Sequence, residues 1–255
     1  MTFIRSLLYN IWFYVSLAII GLACMPFAYF SRTGSMRAIR FWVRTQRFGL
    51  HMICGIRTEF RGLENVPSGP AVIAMKHQST YDTLAPFIFL HDPAFILKQE
   101  LLKAPVFGVY ASRSHMIPID RGGHARTLIK MLAAAKNEAA KGRGIVIFPE
   151  GTRQDVDVAT ELKPGAFAIY RALGAPCVPI ALNTGLCWKG SGFTRRPGVV
   201  VFEALAPIEP GLSRAVFTQR LQDALHTATA KLVAEGRAIQ VARGVVHDTP
   251  LTATE

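Results

Sequence analysis

The chain begins with a continuous apolar segment. Residues 7–30 carry no charged side chain over 24 positions, and about 20 apolar residues suffice for a helix to cross a hydrocarbon core. Aromatic residues lie near both ends of the segment, as they do at membrane interfaces, and Pro26 is expected to kink or end the helix. The pattern predicts a membrane-associated helix that either spans the bilayer or enters one leaflet.

A basic helix is predicted directly after this segment. Arginines recur at three- and four-residue steps between apolar side chains, at positions 37, 40, 44 and 47. This spacing is typical of a helix that lies on anionic lipid, although a solvated face of an ordinary helix has the same spacing. The positive-inside bias assigns residues after Ser31 to the cytoplasmic side. We therefore expect residues 1–54 to anchor the chain at the inner (cytoplasmic) membrane, with the following domain in the cytosol.

The remainder of the chain alternates short apolar runs with helical patterns. Strands are predicted over 56–60, 71–75, 94–97, 116–119, 144–148, 177–182 and 199–202. Helices are predicted over 80–90, 125–140, 166–173 and 213–235. Most strands are continuously apolar, as in sheets that are buried on both faces. The alternation predicts an α/β domain over 55–236, with a mixed, largely parallel central sheet flanked by helices. Residues 237–255 are expected to form a loosely ordered tail.

Composition and charge narrow the classes of protein. Half of the residues are apolar and 18% are charged, which excludes a disordered chain. Lys and Arg number 29 against 17 Asp and Glu, a net charge of +12, so an anionic partner is expected. Seven arginines lie in the first 58 residues, which contain no Lys, Asp or Glu. Because the excess charge lies beside the apolar segment, an anionic membrane surface is favoured and a nucleic-acid partner is not. A polytopic transporter would need a second long uncharged segment.

The four cysteines are scattered, at positions 24, 54, 177 and 187, without a Cys-x-x-Cys pair or a histidine at zinc-ligand spacing. This distribution favours reduced thiols in a cytosolic compartment and indicates neither a metal site nor a disulfide framework.

The first stretch with candidate chemistry is the apolar run 71–75, followed by His77 and, five residues later, Asp82. On a continuous helix these two would lie about 140° and 7.5 Å apart, so they meet only if His77 precedes a helix capped by Ser79 or Thr80. A carboxylate on one ring nitrogen leaves the other nitrogen as a general base. Without a Gly-x-Ser-x-Gly motif, the histidine would activate a substrate hydroxyl directly. The alternative is a capping aspartate beside an unrelated histidine.

Two further strand candidates end in polar residues. The run 116–119 leads into Arg121, and the run 144–148 leads into the sequence PEGTR, which ends at Arg153. Guanidinium groups suit bidentate phosphate binding, and Gly151 permits close approach of the backbone. Ligands of α/β sheets gather at the carboxyl ends of strands, so we expect these ends to share one site. The apolar stretch 176–180 either lines a chain-binding surface or is a core strand.

Together, His-x4-Asp at 77–82, IPIDR at 117–121, FPEGTR at 148–153 and VPI at 178–180 resemble the glycerophospholipid acyltransferase family, in particular its bacterial lysophosphatidate acyltransferases. The resemblance covers about residues 55–205. It implies transfer of a fatty acyl group from a thioester to the 2-hydroxyl of lysophosphatidate, giving phosphatidate. It also implies roles for His77 as general base, Asp82 as its orienting partner, Lys98, Arg121, Glu150, Gly151, Thr152 and Arg153 around the glycerol phosphate, and Val178 and Pro179 near the acyl chain.

The resemblance implies no metal and no cofactor, with acyl-CoA or acyl carrier protein as the thioester co-substrate. The sequence departs from the family pattern at Lys76, where Asn is common, at Pro118, where an aromatic residue is usual, and at Gln154, where Ser is typical. These departures leave the acceptor open to glycerol 3-phosphate, a lyso-ornithine lipid or another lysolipid. A non-catalytic lipid-binding protein would not need the His–Asp pair.

Overall fold

A seven-stranded sheet forms the centre of the computed structural model, which describes residues 2–120 and 124–245. The strands are β1 Ile56–Arg61, β2 Ala71–Met75, β3 Pro93–Lys98, β4 Ile117–Ile119, β5 Gly144–Ile147, β6 Cys177–Leu182 and β7 Gly198–Ala204. Their order is β1-β7-β6-β2-β5-β3-β4. Every neighbouring pair is parallel except β6 and β7. The predicted mixed, largely parallel sheet is confirmed, and each predicted strand lies within two residues of the observed one.

Helices cover both faces of this sheet. They are α1 Thr2–Ala23, α2 Met25–Phe30, α3 Arg32–Cys54, α4 Pro86–Phe89, α5 Phe107–Arg113, α6 His124–Ala139, α7 Gly165–Leu173 and α8 Arg214–Ala242. Ile73 and Met75 of β2 belong to the core that includes side chains of α1 and α3. The alternate residues Val72 and Ala74 belong to the core formed with α6, α7 and α8. Because side chains of a strand alternate between faces, burial on both faces requires the continuous apolar runs seen in the sequence.

The N-terminal helices form a layer that is held against the α/β domain. α1 ends at Ala23 and α2 begins just before Pro26, as expected from the proline, and Ser31 caps α3. Near one end of α1, the Arg195 amide donates to Ser6 Oγ at 2.8 Å. Near the other, Tyr110 Oη donates to the Gly21 carbonyl at 2.8 Å. Since both ends contact the same domain, α1 runs along that domain instead of leading away from it.

The outward face of this layer is apolar and basic. By length and composition α1 could cross a membrane, and it exposes more than half of several large apolar side chains: Phe3, Ile4, Leu8, Ile11, Tyr14, Ile19 and Leu22. On α3, Phe41 and Phe48 are 55% and 57% exposed, and Arg37 and Arg44 are exposed at helical spacing from them. An apolar patch of this extent on a folded chain marks membrane association.

Other arginines of this layer contact the domain, although Arg47 is itself exposed. Arg32 Nη2 lies 2.6 Å from Asp92 Oδ1, Arg40 donates to the His91 carbonyl, and Arg47 lies 5.4 Å from the centre of the Phe60 ring. The basic stripe predicted to bind lipid is therefore divided between positions that are exposed on the outward face and positions that contact the domain.

Two predicted elements differ in the structure. The helix expected over 80–90 is a 3₁₀ turn over Thr80–Thr83 followed by the short α4, because Pro86 supplies no backbone N–H to continue the helix through its position. The tail expected to be loosely ordered from residue 237 begins instead as helix, since α8 continues to Ala242. Gln240 is 1% exposed and donates to the Pro197 carbonyl at 3.0 Å, which fixes this last turn.

Candidate active site

His77 and Asp82 meet at the carboxyl end of β2. Ser79 caps the 3₁₀ helix Thr80–Thr83, and Asp82 completes a capping box with it. This turn places His77 Nδ1 3.1 Å from Asp82 Oδ2. The arrangement is the one that five-residue spacing requires, with the histidine before the helix and the aspartate within its first turn. Asp82 both caps the 3₁₀ helix and pairs with His77. The two alternatives given by the sequence, a capping aspartate and a partner of the histidine, are therefore both correct.

Asp82 is fixed by several donors. Its side chain is fully buried. Oδ2 accepts from the backbone amides of Gln78 at 2.6 Å and Ser79 at 2.7 Å, and Oδ1 accepts from Thr184 Oγ1 at 2.6 Å. Hydrogen bonds of this number leave the carboxylate a single orientation. With Nδ1 bound to Asp82, Nε2 is the ring nitrogen that remains for proton transfer.

The imidazole of His77 is also held by its surroundings. It stacks on the Phe148 ring with 4.0 Å between centroids and 20° between planes. The His77 amide donates to Glu150 Oε2 at 3.1 Å, and the His77 carbonyl accepts from the Gln154 amide at 2.7 Å. The FPEGTR segment thus fixes both the ring and the backbone of His77.

Glu150 lies behind His77 and does not face a phosphate site. Its side chain is fully buried; Oε1 accepts from Lys76 Nζ while Oε2 holds the His77 amide. Lys76, which departs from the family pattern, supplies the charge that a buried carboxylate requires. The expectation that Glu150 surrounds the glycerol phosphate is therefore replaced by a supporting position beneath the catalytic turn.

The ends of four neighbouring strands meet at this edge of the sheet. β2, β5, β3 and β4 are adjacent and mutually parallel, so the residues that follow them lie at one edge, as expected. Lys98 ends β3 and Asp120 follows β4. Arg121, the expected phosphate ligand after β4, lies outside the described residues.

A cavity of about 520 Å³ opens beside His77. Lys98, Gly151, Thr152 and Arg153 line it at its polar part, so the structure brings together five of the expected site residues. Its other walls are apolar side chains of the N-terminal layer and of the helices beneath it, among them Leu17, Ile20, Ile39, Trp42, Phe87 and Val106. A cavity lined by polar residues on one part and apolar side chains on the rest fits an amphipathic ligand.

Val178 and Pro179 do not line this cavity. Both are buried in β6, where they pair with Ile73 and Ala74 of β2. The expectation that Val178 and Pro179 lie near the acyl chain is therefore corrected, because this apolar stretch is a core strand. The apolar wall of the cavity comes instead from α1, α3 and α5. Sequence reasoning missed this wall and also Phe148 as a stacking partner and Thr184 as a donor to Asp82, which lies 102 residues away along the chain.

The three buried cysteines do not offer a thiolate nucleophile, because burial raises the pKa of each thiol. All four are free thiols and three are buried. Burial raises the pKa of Cys54 to about 11 and that of Cys187 to about 12, so both are protonated at neutral pH. Within residues 2–120 and 124–245, no group of three His, Cys, Asp or Glu residues could hold a metal ion.

Comparison with known proteins agrees with this site. The Acyltransferase family model matches residues 57–183, which contain every expected site residue. The 1-acyl-sn-glycerol-3-phosphate acyltransferase of Pseudomonas aeruginosa is 37% identical over 64% of this chain and 63% of its own length. The alpha enzyme of the same name from Mus musculus is 32% identical over 51% of this chain and 46% of its own length.

The match therefore spans less than two thirds of these curated relatives. The solved 1-acyl-sn-glycerophosphate acyltransferase PlsC from Thermotoga maritima shares the fold, with a TM-score of 0.76 and 23% identity over 92% of this chain and 98% of that chain. Residues 57–183 of this chain thus match the Acyltransferase family model, and the chain shares the fold of the solved enzyme.

Proposed function

We propose that this chain transfers a fatty acyl group from a thioester to the 2-hydroxyl of 1-acyl-glycerol 3-phosphate and so forms phosphatidate. The observation that carries the proposal is the buried His77–Asp82 pair, at 3.1 Å, beside a cavity that changes from basic to apolar. Such a cavity suits a ligand with a phosphate at one end and a hydrocarbon chain at the other. The names of the relatives support the same reaction.

In the proposed mechanism, His77 Nε2 takes the proton of the acceptor hydroxyl while the hydroxyl oxygen adds to the thioester carbonyl. Asp82 stabilises the imidazolium that forms. The carbon–sulfur bond then breaks, and the imidazolium returns the proton to the departing thiolate. General base catalysis increases the rate by about 10²- to 10⁴-fold. Positioning of the two substrates supplies much of the remaining rate acceleration. This route uses the chain's own side chains and the two substrates, without a cofactor.

Lys98, Arg121 and Arg153 are the proposed ligands of the acceptor phosphate. Lys98 Nζ lies 3.2 Å from Glu100 Oε1, but both side chains are about half exposed, so the lysine can turn to a phosphate at small cost. Gly151 and Thr152 directly precede Arg153 in the chain and line the same cavity. In this proposal Glu150 holds the turn, and the acyl chain occupies the apolar part of the cavity.

The proposed location is the cytoplasmic membrane, with the catalytic domain in the cytosol. The apolar face of α1 would enter the headgroup and acyl boundary of one leaflet, and Arg37 and Arg44 of α3 would contact anionic headgroups. This arrangement holds the cavity at the level where lysophosphatidate resides. The acyl donor is acyl-CoA or acyl carrier protein.

The test is an acyl-transfer assay on the purified full chain in anionic liposomes. Lysophosphatidate, glycerol 3-phosphate and lyso-ornithine lipid are offered separately with each thioester donor. We expect phosphatidate from lysophosphatidate with the wild type and with His51→Ala, an exposed histidine of α3, and almost none with His77→Ala. Preference for another acceptor would overturn the substrate, and no transfer with either donor would overturn the activity.

A further inference from the structure

A second cavity, of about 420 Å³, lies next to the first. Arg153 lines both. The second cavity differs in character, because it is formed by polar loops after β2, β5 and β6, with Gln78, Asp155, Gly185, Lys189 and Arg196 in its wall. None of these five residues has a role in the proposed mechanism.

The wall of the second cavity is bonded directly to the catalytic turn. Gln78 follows His77 in the chain, and its carbonyl accepts from the Gly190 amide at 2.8 Å. The Gly190 carbonyl in turn accepts from the Thr80 amide at 3.0 Å. A ligand in this cavity would therefore lie within one residue of the general base.

One buried donor in this wall has no partner. Gln78 is 1% exposed, and its Oε1 accepts from the Gly185 amide at 3.0 Å, which fixes the orientation of the side-chain amide. Its Nε2 then has no hydrogen-bond partner among the described residues. Buried donors in proteins are nearly always paired, so this one indicates an acceptor that the described residues do not supply.

The charge of the cavity favours an anionic ligand. Three basic side chains line it, those of Arg153, Lys189 and Arg196, against the single carboxylate of Asp155. Asp155 Oδ2 lies 2.9 Å from Lys189 Nζ, and both side chains are more than half exposed. An exposed pair of this kind exchanges partners readily, so Lys189 is available to a phosphate.

We infer that this second cavity holds the phosphopantetheine arm of the acyl-thioester donor, an inference that rests on the proposed function. If the acyl chain fills the apolar cavity and the thioester carbonyl lies at His77, the arm must leave by another path. The second cavity offers that path beside Arg153. It supplies the Gln78 amide for a carbonyl of the arm and basic side chains for its phosphate. Both acyl-CoA and acyl carrier protein carry this arm.

The test compares two donors that differ only in the phosphate, acyl-phosphopantetheine and acyl-pantetheine, with lysophosphatidate as acceptor. Lys189→Ala is expected to raise the KM for acyl-phosphopantetheine roughly fivefold, the size of an exposed charge contact. Asp155→Asn is expected to lower the same KM, because it removes the competing carboxylate. Neither variant should change the KM for acyl-pantetheine or lysophosphatidate. Lys231→Ala, an exposed lysine of α8, is the matched control and should change none of them.

Two results would overturn this assignment. If Lys189→Ala raises the KM for lysophosphatidate instead, the cavity serves the acceptor. If the KM values of both substrates are unchanged, the cavity binds neither. Wild-type transfer is measured first in the same assay, so absence of any transfer would count against the proposed function and not against the cavity.

Discussion

The two ends of the main cavity are built in different ways. At the polar end, His77 and Asp82 follow one strand, and their side chains are fixed by hydrogen bonds to neighbouring backbone amides and to Thr184. At the apolar end, the cavity is lined mostly by apolar side chains, among them those of α1 and α3, which contact it by packing. Proton transfer depends on atoms placed within tenths of an ångström, whereas chain binding depends on apolar volume and area. Changes at the polar end should therefore abolish turnover, and changes at the apolar end should alter which chain is preferred.

The largest effect is expected for Asp82→Asn. The amide cannot stabilise an imidazolium as a carboxylate does, so kcat should fall by about 10²- to 10⁴-fold, with the KM for lysophosphatidate within about twofold of the wild type. Steady-state kinetics measure this split. Asp223→Asn, an exposed aspartate of α8, is the control. A large rise in KM with unchanged kcat would mean that Asp82 serves binding instead.

The next largest effect is expected for Arg153→Ala. Loss of a charge-assisted contact to phosphate should lower kcat/KM for lysophosphatidate roughly 10- to 100-fold, and Arg153→Lys should recover only part of it because lysine lacks the bidentate fork. The exposed Arg171→Ala on α7 is the matched control. Equal losses on a neutral monoacylglycerol acceptor would show that Arg153 does not recognise the phosphate.

A third prediction concerns the charged residues that join the N-terminal layer to the domain. Arg143 is 1% exposed; it donates to Glu138 Oε2 at 2.6 Å and lies 3.3 Å from Asp92, the partner of Arg32. Glu138→Gln weakens this network and should lower the free energy of unfolding by about 1–3 kcal/mol at neutral pH. The measurement is thermal unfolding in detergent.

The same variant has a defined pH dependence. Burial by itself raises the pKa of Glu138. Hydrogen bonds from Lys141 and Arg143 lower the pKa by more than this, so that it lies below its usual value. Because the folded-state pKa is the lower one, the stabilisation is complete above the unfolded-state pKa of about 4.3 and is lost as pH falls through the folded-state value. The difference in Tm between wild type and Glu138→Gln should therefore narrow below about pH 4. A constant difference across this range would contradict the assignment.

The smallest effect is expected at the apolar end, for Ile20→Trp. Ile20 lines the cavity, so the larger ring should exclude the end of long acyl chains and shift kcat/KM towards shorter donors by roughly fourfold for each methylene lost. The neighbouring Ile19 is 62% exposed, and Ile19→Trp should leave chain preference unchanged. Competition between mixed acyl-thioester donors measures the preference. A shift with both variants would indicate a membrane effect.

The polar end could be predicted from sequence because its signals are local. The apolar runs mark the strands, parallel strand ends share an edge, and the spacing of His77 and Asp82 requires the capped turn that Ser79 supplies. The FPEGTR segment follows the strand next to β2, which brings Gly151 and Arg153 to the same cavity.

The features of the site that could not be predicted from sequence depend on contacts between distant parts of the chain. Glu150 is indistinguishable in sequence from a ligand of the site, and only the fold shows that Lys76 neutralises it in the interior. The residues around Val178 and Pro179 favour a core strand and the resemblance implies a chain-binding surface, and the sheet order decides for the core strand. The contribution of α1 and α3 to the cavity wall could not be predicted from sequence, because it depends on α1 packing along the domain instead of leading away from it.

The central claim is that His77 and Asp82 act as one catalytic unit, and a double-mutant cycle tests it most directly. Acyl transfer to lysophosphatidate is measured for wild type, His77→Ala, Asp82→Asn and the double variant. If Asp82 acts only through His77, the double variant should be no slower than His77→Ala, since residues that act as a unit are strongly non-additive. Losses that multiply in the double variant would show that the two residues act independently and would contradict the claim.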